Sequence, residues 1–208
     1  MHEQLRPDEK GATTSTEVYH DRLLDLQTIW WKRLLPVQAP FRFDLRRLKL
    51  GRTLDIGCGL GRLLTALPDD SVGVDHNPEF VRHARGVGCI AYTSDEFLQS
   101  KDATPDRFDA LLLAHVAEHV DADTIDTILQ TYLPFLRAGG AVHMVTPQEW
   151  GYRSDPTHLN FMDFQALSDI ARRNSLAVER SYSFPFPRWC GRVFKYNEFH
   201  LHARKGAG

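Results

Sequence analysis

Short unbroken apolar runs alternate along the chain with segments in which apolar residues recur every three or four positions. The runs predict strands and the spaced segments predict amphipathic helices. Strands are expected at residues 53–56, 71–75, 89–93, 108–114, 141–146, 176–183 and 193–204. After the first of them, Leu60, Leu63, Leu64 and Leu67 stand at helical spacing. Asn77 followed by Pro78 starts another helix, since the amide fits as a cap and proline suits the first helical position. Asp121 or Asp123 caps a helix carrying Ile125, Ile128, Leu129, Tyr132 and Leu136, which Gly139-Gly140 is expected to end. Asp163 caps one with Phe164, Leu167, Ile170 and Ala171 turned inward. Residues 1–14 are polar and read as a flexible lead-in. Ser15 or Thr16 then caps a helix over 15–35, with Leu23, Leu26, Trp30 and Leu34 on one face and Pro36 and Pro40 at its end. Strand and helix alternate without internal repeats, which argues for an α/β fold: an open sheet with helices on both faces.

The first expected strand runs into Asp55-Ile56-Gly57-Cys58-Gly59-Leu60-Gly61-Arg62. Glycines at 57, 59 and 61 permit positive φ and let a ligand approach the backbone. The second strand ends in Asp75, 20 residues after Asp55, where a carboxylate can grip both hydroxyls of a ribose. In such sheets ligands bind beyond the carboxyl ends of the strands. Asp55, Asp75, Asp95, His115 and Thr146 all lie at or near such ends.

Composition narrows the partners. The length of 208 residues fits one domain over 15–208, with the 15–35 helix as a cap. A formal charge of −2 gives no nucleic-acid footprint, and no run reaches the ~20 apolar residues of a membrane span. Residues 1–10 carry three acidic groups and no apolar stretch, unlike a secretory signal. The three widely spaced cysteines suit a reducing cytoplasm, and Cys58 reads as a small filler in the glycine turn. The basic positions Arg42, Arg46, Arg47, Lys49 and Arg52 read as a solvated helix face or as an anion patch.

The D-x-G-x-G-x-G spacing is one residue shorter than the dinucleotide fingerprint. With Asp55 in front and Asp75 behind, it resembles motif I of the class I S-adenosylmethionine (SAM) methyltransferases. The resemblance implies a Rossmann-like, seven-stranded, mostly parallel sheet with an antiparallel last strand. It implies SAM as cofactor and S-adenosylhomocysteine as product. It also implies cofactor contacts from Asp55, Gly57, Gly59, Gly61, Arg62, Asp75, His76, Ser94, Asp95 and Ala114.

His115-Val116-Ala117-Glu118-His119 follows the fourth strand. H-x-x-E-H is also an inverted zinc-protease signature, but that motif belongs inside a long helix. Two methyltransferase groups, the small-RNA 3′-end 2′-O-methyltransferases and the ubiquinone-pathway O-methyltransferases, carry the similar E-x-x-E-H with a later histidine, and bind a divalent cation there. The similarity assigns His115, Glu118, His119 and His158 as metal ligands or acid/base groups, with Mg²⁺ or another divalent cation. His115 in place of glutamate favours softer metals. Alternatively, Glu118 and His119 cap the next helix and His158 bonds a carbonyl.

Other stretches, among them residues 30–40, Gly73-Val74-Asp75-His76-Asn77, Thr146-Pro147-Gln148-Glu149 and residues 183–188 with 196–199, resemble small actinobacterial sugar O-methyltransferases. That implies O-methylation of a carbohydrate hydroxyl, such as the 1-hydroxyl of a methylated mannoside, with Trp150, Tyr152 and Trp189 as stacking faces. The expected partner is a small-molecule or oligosaccharide acceptor in the cytoplasm, with no nucleic acid and no membrane; a homodimer is left open. A phenol or small-molecule O-methyltransferase and a non-catalytic SAM-binding protein are the alternatives.

Overall fold

The computed structural model describes residues 39–207. The expected lead-in over 1–14 and helix over 15–35 lie outside the described residues. The chain forms α1 (Ala39–Leu48), β1 (Thr53–Ile56), β2 (Val72–Asp75), α2 (Pro78–Gly86), β3 (Ile90–Thr93), α3 (Ser94–Leu98), β4 (Phe108–Ala114), α4 (Ala122–Tyr132), β5 (Leu136–Pro147), α5 (Glu149–Arg153), α6 (Phe164–Arg173), β6 (Leu176–Phe184) and β7 (Glu198–Lys205). Short 3-10 turns cover Leu64–Ala66, Ala117–His119, Leu133–Phe135 and Arg188–Arg192.

The strands make one seven-stranded sheet in the order β3-β2-β1-β4-β5-β7-β6. β1 to β5 pair in parallel, while β7 runs antiparallel to both β5 and β6. The expected architecture is therefore present. The order reverses between β1 and β4, so a crevice opens beyond their carboxyl ends, where ligands of such sheets bind.

Alternation along the strands divides the core between two faces. Leu54, Val72, Leu111, Leu113, Val142, Met144 and Leu201 pack with Ile125 and Leu129 of α4 and Leu167 and Ile170 of α6. Leu112, Ala114 and Val145 pack instead with Leu45 of α1 and Val81 and Ala84 of α2. Gly73 of β2 faces this second layer. A Cβ there would stand 2.7 Å from both Cys58 Sγ and Leu64 Cδ2. Gly73→Ala should therefore lower stability by about 1–3 kcal/mol through overpacking, read as a shifted urea midpoint with an unchanged slope.

Several boundaries differ from the sequence reading. No regular helix follows β1; Leu60–Leu67 spacing yields only turns and the 3-10 segment Leu64–Ala66. Gly61, at φ +80°, breaks the helical path on one side and Pro68 on the other. Gly139-Gly140 does not end α4, which stops at Tyr132; the glycines lie inside β5, which starts at Leu136. The last strand starts at Glu198 and not at 193, because residues 188–192 wind into a 3-10 turn. Pro40 stands in the first turn of α1. Asp121, Asp163 and Asn77 cap as expected, each side chain accepting from backbone N–H groups of the following turn.

Of the basic positions near α1, Arg46, Arg47 and Lys49 are exposed, and Arg52 pairs with Asp102 at 3.0 Å. They do not form a closed anion site. Among the described residues no helix is long and apolar enough to cross a membrane.

Candidate active site

β1 delivers the chain into the glycine loop. The Gly57 and Cys58 amides both donate to the Val74 carbonyl, at 2.8 and 3.1 Å, fixing the loop to β2. At Gly57, φ is +75° and a Cβ would stand 2.5 Å from Val116 Cγ2, so the loop presses against the segment after β4. Gly59 is also left-handed, at φ +51°, but nothing lies within 4 Å of its Cβ position. That open side is where a ligand can approach the backbone. The Gly59 amide donates to Asp75 Oδ2 at 2.9 Å, and the Asn77 amide donates to Asp75 Oδ1 at 2.9 Å. Asp75 thus clamps the loop to the start of α2, and a carboxylate's lone pairs leave room for further donors. His76 lies beside it, its Nδ1 3.5 Å from Asp75 Oδ1.

Asp55 is buried in β1, and its Oδ2 has no hydrogen-bond partner. Burial, and secondly the charge of Asp75, raises its pKa to about 7. A lone buried carboxylate oxygen beside a ligand-accessible loop suits an ammonium group. Cys58 is inert: burial first, then Asp55 and Asp75, pushes its thiol far up, which agrees with its reading as a filler. Arg62 is half-buried in the loop, Ser94 is half-buried and Asp95 exposed at the start of α3, and Ala114 is buried at the end of β4.

Beyond β4, His115 takes φ +60°, uncommon for a residue with a side chain and a sign of an over-determined position. Its Nδ1 lies 3.1 Å from Glu118 Oε1 and its Nε2 2.9 Å from Glu198 Oε1. Burial pulls the His115 pKa down, but Glu198 and Glu118 outweigh it and hold the ring well above its usual range. Two carboxylates on the two ring nitrogens favour the protonated imidazole.

The 3-10 turn Ala117–His119 presents Glu118 and His119, and His158 comes from the loop ahead of α6. One ligand atom from each of Glu118, His119 and His158 lies within 4.8 Å of the others. His119 Nδ1 is 3.3 Å from the Thr157 carbonyl and His158 Nδ1 is 2.7 Å from the Tyr152 carbonyl. A carbonyl can only accept, so each ring carries its proton on Nδ1 and its lone pair on Nε2. Burial chiefly, and His158 as a neighbour, lowers the His119 pKa. Glu118 is fully buried and its Oε2 lacks a hydrogen-bond partner. Two lone-pair nitrogens backed by carbonyls and one unpaired carboxylate oxygen fit a divalent cation. Three of the four expected ligands thus come together. His115 is the correction: both its nitrogens are engaged by carboxylates, so it does not join that set. Nor do Glu118 and His119 cap α4, which Asp121 does.

Glu198 is the functional group that sequence reasoning missed. It starts β7, buried, and bridges His115 and His200. Thr146, placed at a strand end by the sequence, instead donates to the Met162 carbonyl at 2.7 Å. Trp150 is exposed on α5 and Trp189 on the 3-10 turn Arg188–Arg192, while Tyr152 stacks on His158 at 5.5 Å between ring centres.

Residues 54–142 match the model of a family described as a methyltransferase domain. That stretch has the sequence pattern of a methyltransferase domain. The match spans the glycine loop, Asp75 and the Glu118–His119 turn. No curated protein sequence matches the chain. The fold is similar to that of a SAM-dependent methyltransferase from Archaeoglobus fulgidus, at 20% identity, a TM-score of 0.62, and coverage of 79% of this chain and 93% of that one. It is also similar to the 1,6-didemethyltoxoflavin-N1-methyltransferase of Burkholderia thailandensis, solved with bound 1,6-didemethyltoxoflavin and S-adenosylhomocysteine, at 18% identity, a TM-score of 0.61, and coverage of 99% and 93%. The N-methyltransferase NodS of Bradyrhizobium japonicum shares 16% identity at a TM-score of 0.60, with 83% and 98% covered.

Proposed function

We propose that this methyltransferase transfers the methyl group of SAM to a hydroxyl of a carbohydrate. The observation that carries the reading is the pair His119 and His158, each with its lone pair on Nε2, converging with Glu118. A neutral amine is nucleophilic as it stands, whereas a sugar hydroxyl is a poor nucleophile until its proton is removed. His119, neutral at pH 7, is placed to take that proton as the new C–O bond forms and the S–C bond breaks. His115, its protonated form favoured by Glu118 and Glu198, keeps the turn oriented and offsets the two carboxylates. Where Glu118, His119 and His158 hold a divalent cation instead, the His119 lone pair is spent on it, and the cation would lower the hydroxyl pKa in place of the base. The protein's remaining task is to align acceptor oxygen, methyl and sulfur and to exclude water.

An open cleft lined by Trp150, Arg153, Ser154 and Arg192 supports a sugar ring: an indole face for its apolar side and donors for its hydroxyls. A methylated mannoside with a free 1-hydroxyl is the first acceptor to test. Because two proteins of similar fold are named as N-methyltransferases, amines belong in the same screen.

Labelled SAM offered with mannosides, other sugars, phenols and amines, with and without chelator, tests the reading. Transfer to a sugar is expected, and His119→Ala should lower its rate by about 10²–10⁴-fold. Turnover confined to amines, or sugar methylation that withstands both His119→Ala and chelator, overturns it.

A further inference from the structure

A second group of donors lies deeper, on the sheet face beneath α1. His143 of β5, His200 of β7 and Asp44 of α1 are all buried, with relative exposures of 0, 2 and 2%. One ligand atom from each lies within 4.8 Å of the others. His143 Nε2 is 3.1 Å from His200 Nδ1, which is itself 3.5 Å from Asp44 Oδ2. Adjacent ligands around a tetrahedral zinc with bonds of ~2.0–2.1 Å stand about 3.3 Å apart, so these separations are those of a coordination edge.

Hydrogen bonding alone serves these atoms poorly. His200 Nδ1 bonds His143 Nε2 but makes no hydrogen bond to Asp44 at 3.5 Å, and His143 Nδ1 is buried without a partner. The supports behind the donors are those of a metal site. Tyr182 donates to Asp44 Oδ2 at 2.6 Å, orienting the carboxylate. Glu198 Oε2 lies 3.4 Å from His200 Nε2, the carboxylate that commonly backs a ligating imidazole.

We propose that Asp44, His143 and His200 form a buried site for a zinc-class divalent ion, separate from the Glu118–His119–His158 cluster. Two imidazoles and one carboxylate favour such an ion over Mg²⁺, which prefers oxygen ligands. The ion ties α1 to the β5–β7 pair. It also fixes Glu198, whose other oxygen holds His115, so the site braces the methyl-transfer centre from behind. The inference does not depend on the acceptor being a sugar.

The full-length protein is stripped with chelator, re-titrated with zinc and assayed for bound metal after gel filtration. The wild type, His143→Gln, Asp44→Asn, the double variant His119→Gln/His158→Gln, and His202→Gln as a neighbouring control are compared. The double variant and His202→Gln should keep the zinc equivalent that His143→Gln and Asp44→Asn lose. Zinc should raise the melting temperature only of proteins that keep it. Zinc content equal in His143→Gln, Asp44→Asn and wild type, or no zinc bound by the double variant, overturns the proposal. Should His143→Gln and Asp44→Asn both fail to fold, zinc-edge absorption on the double variant decides: two imidazoles with oxygen are expected, and an oxygen-only or sulfur shell refutes the site. Failure of sugar methylation with this zinc retained would count against the acceptor alone.

Discussion

Asp75→Asn is expected to weaken SAM binding by about 10- to 150-fold while leaving the sheet intact. Asp75 ends β2 with each oxygen already accepting a backbone amide, from Gly59 and Asn77 at 2.9 Å. A carboxylate can hold those donors and still accept from a ribose hydroxyl. An amide can do neither fully, since its NH₂ must face one of two N–H groups. Hydrogen bonds to a charged acceptor contribute about 1.5–3 kcal/mol, which sets the range. The loss has two sources, the ribose contact and a loosened glycine loop, and both act on the cofactor and not on the core. Calorimetric titration with SAM measures the affinity, and a denaturant melt checks the fold. An unchanged affinity in a folded variant would remove Asp75 from the cofactor site.

SAM affinity should also rise with pH up to about 7, through Asp55. In the ligand-free protein, burial and Asp75 hold the Asp55 pKa near 7, against an ordinary value of 3.8. The neutral carboxyl's contribution to folding is therefore fully present below pH 3.8 and lost as pH rises through about 7. Asp55 Oδ2 has no protein partner, and SAM brings two positive charges, the ammonium and the sulfonium. Those charges favour the ionised carboxylate, so binding below pH 7 expels a proton. The limiting slope is about tenfold in affinity per pH unit, flattening above pH 7. Titrations in buffers of different ionisation enthalpy count the proton directly. Asp55→Asn should abolish both the proton release and the slope; a wild-type affinity constant from about pH 5.5 to 7 would show that Asp55 does not meet the cofactor's charge.

The cofactor half was legible in the sequence because its information is local. Glycines at fixed spacing, a leading Asp55 and a trailing Asp75 each report on a turn or strand end within a single βαβ stretch. The cluster after β4 was legible in part. The spacing brought Glu118 and His119 together, but only the bond lengths reveal that His115 is spent on carboxylates. Glu198, His200 and His202 were hidden for a physical reason. Polar residues at every second position of a strand read as its solvent face, yet here all three are buried, His200 against Asp44 of α1. Gly139-Gly140 misled similarly, since a glycine pair marks a helix end as readily as an irregular stretch of strand, and β5 shifts register there.

The placement of β7 between β5 and β6 has a consequence for the order in which the protein comes into being. Domains fold as units while the chain emerges from its amino-terminal side. β1 and the glycine loop gain their second support, from β4 and Val116, while the chain is little past its middle. β5 gains its second neighbour, and His115 its second carboxylate, only when residues 198–205 arrive. The residues around the glycine loop are thus all synthesised well before the strand that closes the far side of the transfer centre.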